Sequence, residues 1–316
     1  MAKILTLTLN PALDITIGLE QLHAGQVNRA LAQHSHAAGK GLNVAQVLAD
    51  LGHSVTVAGF LGRDNLPPFE ALIRGRGFTD CFVRVAGEIR SNIKLVESDG
   101  RVTDINGQGP VIDDQAQLAL LARLEQVVEG HEVAVVAGSL PPGISLSWFR
   151  KLLLQLRSHG LKVALDTSGE ALLAGLEGVP WLVKPNTDEL SEVLGVPVHS
   201  QAEQYAAATR LLASGVEHVV VSQGERGVSW FARDLVLHAR PPAVKVASTV
   251  GAGDSLLAGM VHGLLQVEPA AHTLGRATAI AAQAVAQVGF GIRDHAQLAQ
   301  LEAGVQLTEQ QPEGCR

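Results

Sequence analysis

Apolar residues recur along the chain in short blocks of two spacings, and the spacings predict its elements. Lys3 to Leu9 (KILTLTL) alternates as a β-strand and ends at Asn10-Pro11, where Pro11 cannot donate to a central ladder. From Leu42 to Gly52 the apolar positions fall at helical spacing, with Gly52 as the stop. Ser54 to Leu61 (SVTVAGFL) reads as a buried strand and Asn65 to Arg76 as a helix closed by Gly75 and Gly77. From Val111 helix and strand alternate: helices over Gln115–Val128, Ser147–Ser158 and Ala202–Ala213, strands over Glu132–Ala137, Lys162–Leu165, Trp181–Val183 and Glu217–Val221. A helix begins near Thr187, Val228–Phe231 and Leu235–Ala239 form a hairpin, and Ala252–Leu265 and His272–Val288 are the last large helices. This rhythm predicts an α/β fold: a mainly parallel central sheet with right-handed crossovers and helices on both faces.

One region breaks the rhythm. Ala12–Ile17, Val27–His36, Phe82–Val85, Ser91–Glu97 and Val102–Asn106 are short extended pieces without long helices following them, and Asp99-Gly100 is a hairpin turn. They predict a small β-sheet set apart from the α/β body. The expected organisation is one domain over 1–307, with a small-sheet lid built from about 12–36 and 82–107, and a disordered tail over 308–316.

Composition narrows the classes. With 316 residues, 47% hydrophobic, the chain can bury a large core, and 33 Gly with only 3% aromatics suits helix-covered parallel strands. Two cysteines exclude a disulfide framework and any Cys-based zinc cluster. The net charge of −7 argues against nucleic acid or acidic membrane as a partner, so positive charge for an anionic ligand must be gathered locally. No apolar run reaches membrane-spanning length and the N-terminus does not read as a signal peptide, so a cytoplasmic protein is expected.

The loops after Leu9, Ala137, Leu165, Val183 and Val221 all follow predicted strands, so the sheet gathers them along one edge, and further candidate chemistry lies in glycine-rich helix starts and on the small sheet. In Ser248-Thr249-Val250-Gly251-Ala252-Gly253-Asp254, the glycines let successive N–H groups turn toward one point at the start of a helix, which makes an anion cradle. Asp254 is then either an N-cap or a base for an attacking hydroxyl. Gly39-Lys40-Gly41-Leu42-Asn43 opens another helix but is neither a Walker loop nor a dinucleotide fingerprint; Lys40 is either solvated or part of a site, and Asn43 can hydrogen-bond a hydroxyl. Asp14 is either a solvated acid or an acceptor for a polyol. Arg90, Asn92 and Lys94 share one strand face, pointing to solvent or into a cleft. Asn186 and Glu189, three apart, either cap a helix or hold a hydrated magnesium ion. Gly138 to Gly143 and Ser222 to Gly227 complete the set.

Together, and in this order, Asn10-Pro11-Ala12-Leu13-Asp14, Gly39-Lys40-Gly41-Leu42-Asn43, Lys184-Pro185-Asn186 with Glu189, Ser222-Gln223-Gly224-Glu225-Arg226-Gly227 and Thr249-Val250-Gly251-Ala252-Gly253-Asp254 resemble the PfkB-type carbohydrate kinases of the ribokinase-like fold, from near Met1 to about residue 300. His36-Ala37-Ala38-Gly39-Lys40-Gly41 departs from the two glycines many relatives carry before the lysine. With Trp181 to Asn186, it is most similar to bacterial members acting on fructose 1-phosphate. The resemblance implies ATP-dependent phosphorylation of fructose 1-phosphate. Fructose 6-phosphate or tagatose 6-phosphate is the alternative acceptor, and a non-catalytic sugar-phosphate sensor the remote one. It implies Asp254 as base with Gly251, Ala252 and Gly253 as the anion hole; Asp14, Gly39, Lys40, Asn43, Arg90 and Ser139 for the sugar phosphate; Lys184, Asn186, Ser222, Gly224 and Gly227 for ATP; and Glu189 near magnesium, through water. It further implies a monovalent cation such as potassium near Ser248, Val250, Gly289 and Gly291, and a homodimer formed through the lid, whose apolar positions include Ile15, Ile17 and Val27.

Overall fold

The computed structural model describes residues 1–309. The first half of the chain runs β1 (Lys3–Thr8), β2 (Ala12–Leu19), β3 (Ala32–Ala38), α1 (Lys40–Asp50), β4 (Ser54–Gly62), α2 (Pro67–Arg76), β5 (Thr79–Val85), β6 (Arg90–Glu97), β7 (Val102–Asn106), α3 (Asp114–Val127), β8 (Val133–Ala137) and α4 (Leu146–Ser158). It continues through β9 (Lys162–Asp166), α5 (Gly169–Glu177), β10 (Leu182–Val183), α6 (Thr187–Leu194), α7 (Gln201–Ala213) and β11 (His218–Ser222). The chain then forms β12 (Val228–Ala232), β13 (Leu235–Arg240), α8 (Ala252–Leu265), α9 (Ala270–Val285), α10 (His295–Gly304) and β14 (Gln306–Glu309).

Ten strands form one sheet in the order β14-β13-β12-β11-β10-β9-β8-β1-β4-β5. Pairing is parallel from β11 to β5 and antiparallel from β11 out to β14. In β8, Ala134 and Val136 enter one core while Val133, Val135 and Ala137 enter the other, so a continuous apolar run fills both faces. One core packs under α3 to α7, the other under α1, α2 and α8 to α10. The strand order reverses at β1, flanked by β8 and β4, which places a crevice at the carboxyl ends of these strands.

A second sheet of four strands, β3-β2-β6-β7, stands apart, with β2 and β6 parallel and the outer pairs antiparallel. It matches the predicted small sheet with one correction: Phe82–Val85 belongs to β5, which pairs in parallel with β4 at the edge of the large sheet. Phe82 and Val83 are buried in opposite cores, the signature of a strand covered on both faces. The extended segment expected from Val27 is strand only from Ala32, after a loop in which Val27 is 85% exposed.

Helices α5 and α10 lie outside the predicted set. In α5, Gly175 is a packing residue, since a β-carbon there would meet a Leu165 methyl at 2.4 Å. In α10 only Leu298 is buried, so its apolar stripe is too narrow to register as amphipathic. Thr308 and Glu309, expected in the tail, pair with β13; the remaining tail residues lie outside the described ones. Among the described residues no helix is long and apolar enough to cross a membrane.

Candidate active site

Helix α8 begins at Gly251, whose φ of 82° is left-handed backbone that favours glycine, and no side chain caps it. Its first N–H groups are those that a helix start leaves without partners inside the helix. Asp254 lies inside the first turn, two residues beyond Ala252, so it is not the N-cap. Its carboxylate is buried, and Oδ2 accepts a 2.7 Å hydrogen bond from Nδ2 of Asn43 in the first turn of α1. Burial, and then the negative charge of Asp166, push its pKa up to about 6; Lys40, Asn43 and Lys184 pull the other way.

Asp166, at the end of β9, is the site residue the sequence reading missed. It is 1% exposed and ion-paired to two lysines, Lys40 Nζ on Oδ1 and Lys184 Nζ on Oδ2, each at 3.3 Å. Burial works against its ionisation, but the two ammonium groups outweigh burial and hold its pKa below the usual carboxylate range. Burial lowers the Lys40 pKa, yet Asp166, Asp254 and Glu189 outweigh it and keep the ammonium charged. Lys184 leans over the cradle: a β-carbon on Gly253 would stand 3.1 Å from its Nζ. Lys184 thus stands beside the start of α8 and Lys40 on the other oxygen of the same Asp166 carboxylate, while Asp254 is a separate, more basic carboxylate.

The Gly-Lys-Gly segment is set by packing. A β-carbon at Gly39 would strike Thr8 Cγ2 at 2.6 Å, and one at Gly41 would strike Leu7 O and Thr8 Oγ1 at 2.5 Å. Their absence seats α1 directly on the end of β1, which carries Lys40 and Asn43 into the crevice.

Around β1 and β8 lies a cavity of about 720 Å³ lined by Asn10, Arg90, Gln108, Ser139, Thr167 and Ser168, among others. Its lining reaches the predicted sugar-phosphate residues Arg90 and Ser139; Asp254 is not part of the lining, and Thr167 adjoins Asp166. Asn10 Nδ2 donates to Ser139 Oγ at 3.2 Å, and Arg90 Nη1 donates to Gly107 O at 3.1 Å. Asn10 Oδ1, Thr167 Oγ1 and Arg90 Nε are buried without a partner, as is Asn43 Oδ1. Such atoms cost about 1–3 kcal/mol each when left unmatched, and these four lie where a polar ligand would match them. Arg90 faces this cleft, whereas Lys94 pairs with Asp104 at 3.1 Å across β6 and β7. Asp14 on β2 accepts from Asn92 at 3.0 Å, and burial raises its pKa against the charges of Arg90, Lys94 and His36.

At the other predicted loop, Asn186 bridges Ser222, which joins the ends of β10 and β11. Gly224 opens a single 3₁₀ turn and Gly227 follows it. Asn186 and Glu189 form a reciprocal cap on α6, each backbone N–H donating to the other's side chain at 2.8 Å, so the capping reading holds. Among the described residues no group of three or more His, Cys, Asp or Glu is placed to hold a metal ion.

The start of α8, the Lys40–Asp166–Lys184 cluster and the buried Asp254 thus lie together near the crevice at the strand ends. Comparison with known proteins assigns the family. Residues 7–295 match the pfkB family carbohydrate kinase description. The chain is 45% identical to the 1-phosphofructokinase of Vibrio cholerae, over 98% of both chains. It is 42% identical to that of Escherichia coli, covering 96% of this chain and 98% of the relative. The crystal structure of phosphofructokinase-2 from Escherichia coli in complex with potassium superposes with a TM-score of 0.87 at 30% identity, covering 96% of this chain and 99% of that one; another structure of that protein is described as a tetrameric inhibited form. The chain belongs to the pfkB family of carbohydrate kinases, and its fold is ribokinase-like.

Proposed function

We propose that the protein phosphorylates fructose 1-phosphate with ATP, giving fructose 1,6-bisphosphate and ADP. The carrying observation is the buried Asp254, more basic than an ordinary carboxylate, in the first turn behind Gly251. In the proposed step the sugar's free primary hydroxyl oxygen forms a bond to the γ-phosphorus, the bond from that phosphorus to the bridging oxygen of ADP breaks, and the hydroxyl proton passes to Asp254. The N–H groups of Gly251, Ala252 and Gly253 and the ammonium of Lys184 stabilise the charge on the transferring group. Lys184 thereby belongs to the phosphoryl end, and Asn186, Ser222, Gly224 and Gly227 to the rest of the nucleotide. Asp14, Gly39, Lys40 and Asn43 hold the sugar, and Arg90 with Ser139 its phosphate; the unmatched Arg90 Nε and Asn43 Oδ1 support those assignments. The choice of fructose 1-phosphate rests on relatives of that name at 42% and 45% identity.

Magnesium would arrive with the nucleotide and rest through water on Glu189, supplying charge for the phosphates; the cap engages only Oε2 of that carboxylate. A potassium-bound neighbour supports a monovalent cation near Ser248, Val250, Gly289 and Gly291. The small sheet acts as a lid that keeps water from competing as acceptor. It also supplies a homodimer contact, on exposed apolar positions such as Val27, Val102 and Ile105; the tetrameric neighbour makes larger assemblies a defined outcome of the same measurement. A cytoplasmic location completes the reading.

An ADP-release assay across fructose 1-phosphate, fructose 6-phosphate and tagatose 6-phosphate tests the reading. Highest kcat/KM with fructose 1-phosphate is expected; preference for another acceptor replaces the substrate, and no turnover with any removes the kinase.

A further inference from the structure

The cradle has a support behind it, in the turn that also carries the proposed cation positions Gly289 and Gly291. A β-carbon at Gly251 would come within 2.7 Å of the Phe290 ring, so that ring lies directly against the bare glycine. Phe290 sits in the turn that follows α9, and two anchors hold this turn. Gln287 Nε2 donates to Gly291 O at 2.7 Å, closing the turn on itself. Ile292 N–H donates at 2.7 Å to Oδ2 of Asp50, far away in the chain at the end of α1.

Asp50 is poorly placed for its own helix. A carboxylate at a helix C-terminus meets the negative end of the dipole and costs a few tenths of a kcal/mol or more. The charge is matched instead by Arg76, at the end of α2, through a two-armed contact: Nη1 to Oδ1 at 2.8 Å and Nη2 to Oδ2 at 3.1 Å. Arg76 Nη2 also reaches Gln46 O at 3.3 Å, so the guanidinium is tied to α1 twice over. A β-carbon at Gly291 would fall 2.5 Å from both Asp50 Oδ2 and Arg76 Nη2, so the turn rests on the ion pair with no side chain between. The same helix α1 presents Asn43 to Asp254 at its other end. Base and cradle are thus both referenced to one rigid helix.

We propose that Asp50 is a positioning residue for phosphoryl transfer: its carboxylate, braced by Arg76, fixes the Ile292 N–H and so the turn that seats Phe290 against Gly251. The inference rests on the kinase reading of the cradle. It assigns Asp50 no contact with either substrate, so its loss is felt in kcat and not in binding.

The test is steady-state kinetics with ATP and fructose 1-phosphate on wild type, Asp50→Ala, Asp50→Asn, Arg76→Ala and Phe290→Ala, with thermal midpoints on the same preparations. Asp50→Ala is expected to lower kcat about 10- to 100-fold, the size of a sub-ångström-to-ångström misplacement, with both KM values within about twofold. Asp50→Asn, which keeps an acceptor for Ile292, should recover part of that loss. Phe290→Ala, which leaves the ion pair intact, should lower kcat by a similar factor. A purely structural role would lower the midpoint and leave kcat of the folded enzyme unchanged; wild-type kcat in either Asp50→Ala or Phe290→Ala overturns the proposal. Should Asp50→Ala not fold, Arg76→Ala and Phe290→Ala decide in its place by the same criterion. An inactive wild type would instead remove the kinase reading, so the two failures are distinct.

Discussion

Asn43 Nδ2 and Asp254 Oδ2 meet at 2.7 Å across 211 residues of chain, and this buried bond, after the charge of Lys40, limits how far burial and Asp166 raise the carboxylate's pKa. An N–H donated to a carboxylate favours its charged form, so Asn43 holds the Asp254 pKa below the value that burial and Asp166 alone would give. For wild type, kcat/KM for the sugar should rise with pH through a midpoint near 6, since the base acts deprotonated in the free enzyme. Asn43→Ala should move that midpoint upward and lower kcat/KM at neutral pH. A kcat/KM–pH profile with an unmoved acid limb would detach Asn43 from the base.

Asp166→Asn should move the same limb the other way. Removing the like charge favours ionisation of Asp254, and the two released lysines add to that effect. The midpoint is expected to fall while kcat drops at least 10-fold, because Lys40 and Lys184 lose the carboxylate that aims them. The opposite shifts in Asn43→Ala and Asp166→Asn separate a tuned base from a general loss of structure.

Asp254→Asn should keep the fold and ATP affinity and lose about 10²–10⁴-fold in kcat. It should also be the more stable protein in alkali. A carboxyl with a raised folded pKa stabilises fully below its unfolded value of 3.8, and that contribution is lost as pH rises through about 6. The amide avoids the loss, worth at most about 3 kcal/mol at pH 8. Thermal midpoints at pH 5 and pH 8 check this; an amide variant less stable than wild type at pH 8 would contradict the buried, like-charged setting.

Arg90→Ala should raise KM for the phosphorylated sugar about 10- to 100-fold, the weight of one charge-assisted contact, with the KM for ATP little changed. An unchanged sugar KM would take Arg90 out of the phosphate site.

Much of this was legible in the sequence because the site loops punctuate strands. Buried runs such as Val133–Ala137 end at the same edge of the sheet, so the polar residues after them had to meet. Asp166 was not legible. One acid after a strand says nothing until the fold brings Lys40, 126 residues away, and Lys184 onto its two oxygens. Phe82–Val85 joins the large sheet and not the small one; four extended residues carry no mark of which sheet they join, and the preceding helix α2 and its return crossover decide. The Gly-Lys-Gly segment was found for its suggestive chemistry, yet Gly39 and Gly41 are required by Thr8 and Leu7. The Asn186–Glu189 spacing carried both a cap and a metal reading, and the cap is formed without deciding the other.

The strand order has a consequence for the ribosome. Starting from β1, the large sheet extends on one side through β4 and β5 and on the other through β8 to β14, each strand joining the growing edge in the order of its synthesis. No strand must wait for a later one to find its neighbour, which suits a chain that emerges amino end first. The helix that carries Asp254 is made after β13, when all but one strand of this sheet is in hand. A nascent chain halted before α8 therefore has its strands in order but leaves bare the sheet face that α8 to α10 cover, so it should remain protease-sensitive and unable to transfer phosphate; full protease resistance at that length would show that the sheet is stable without those helices.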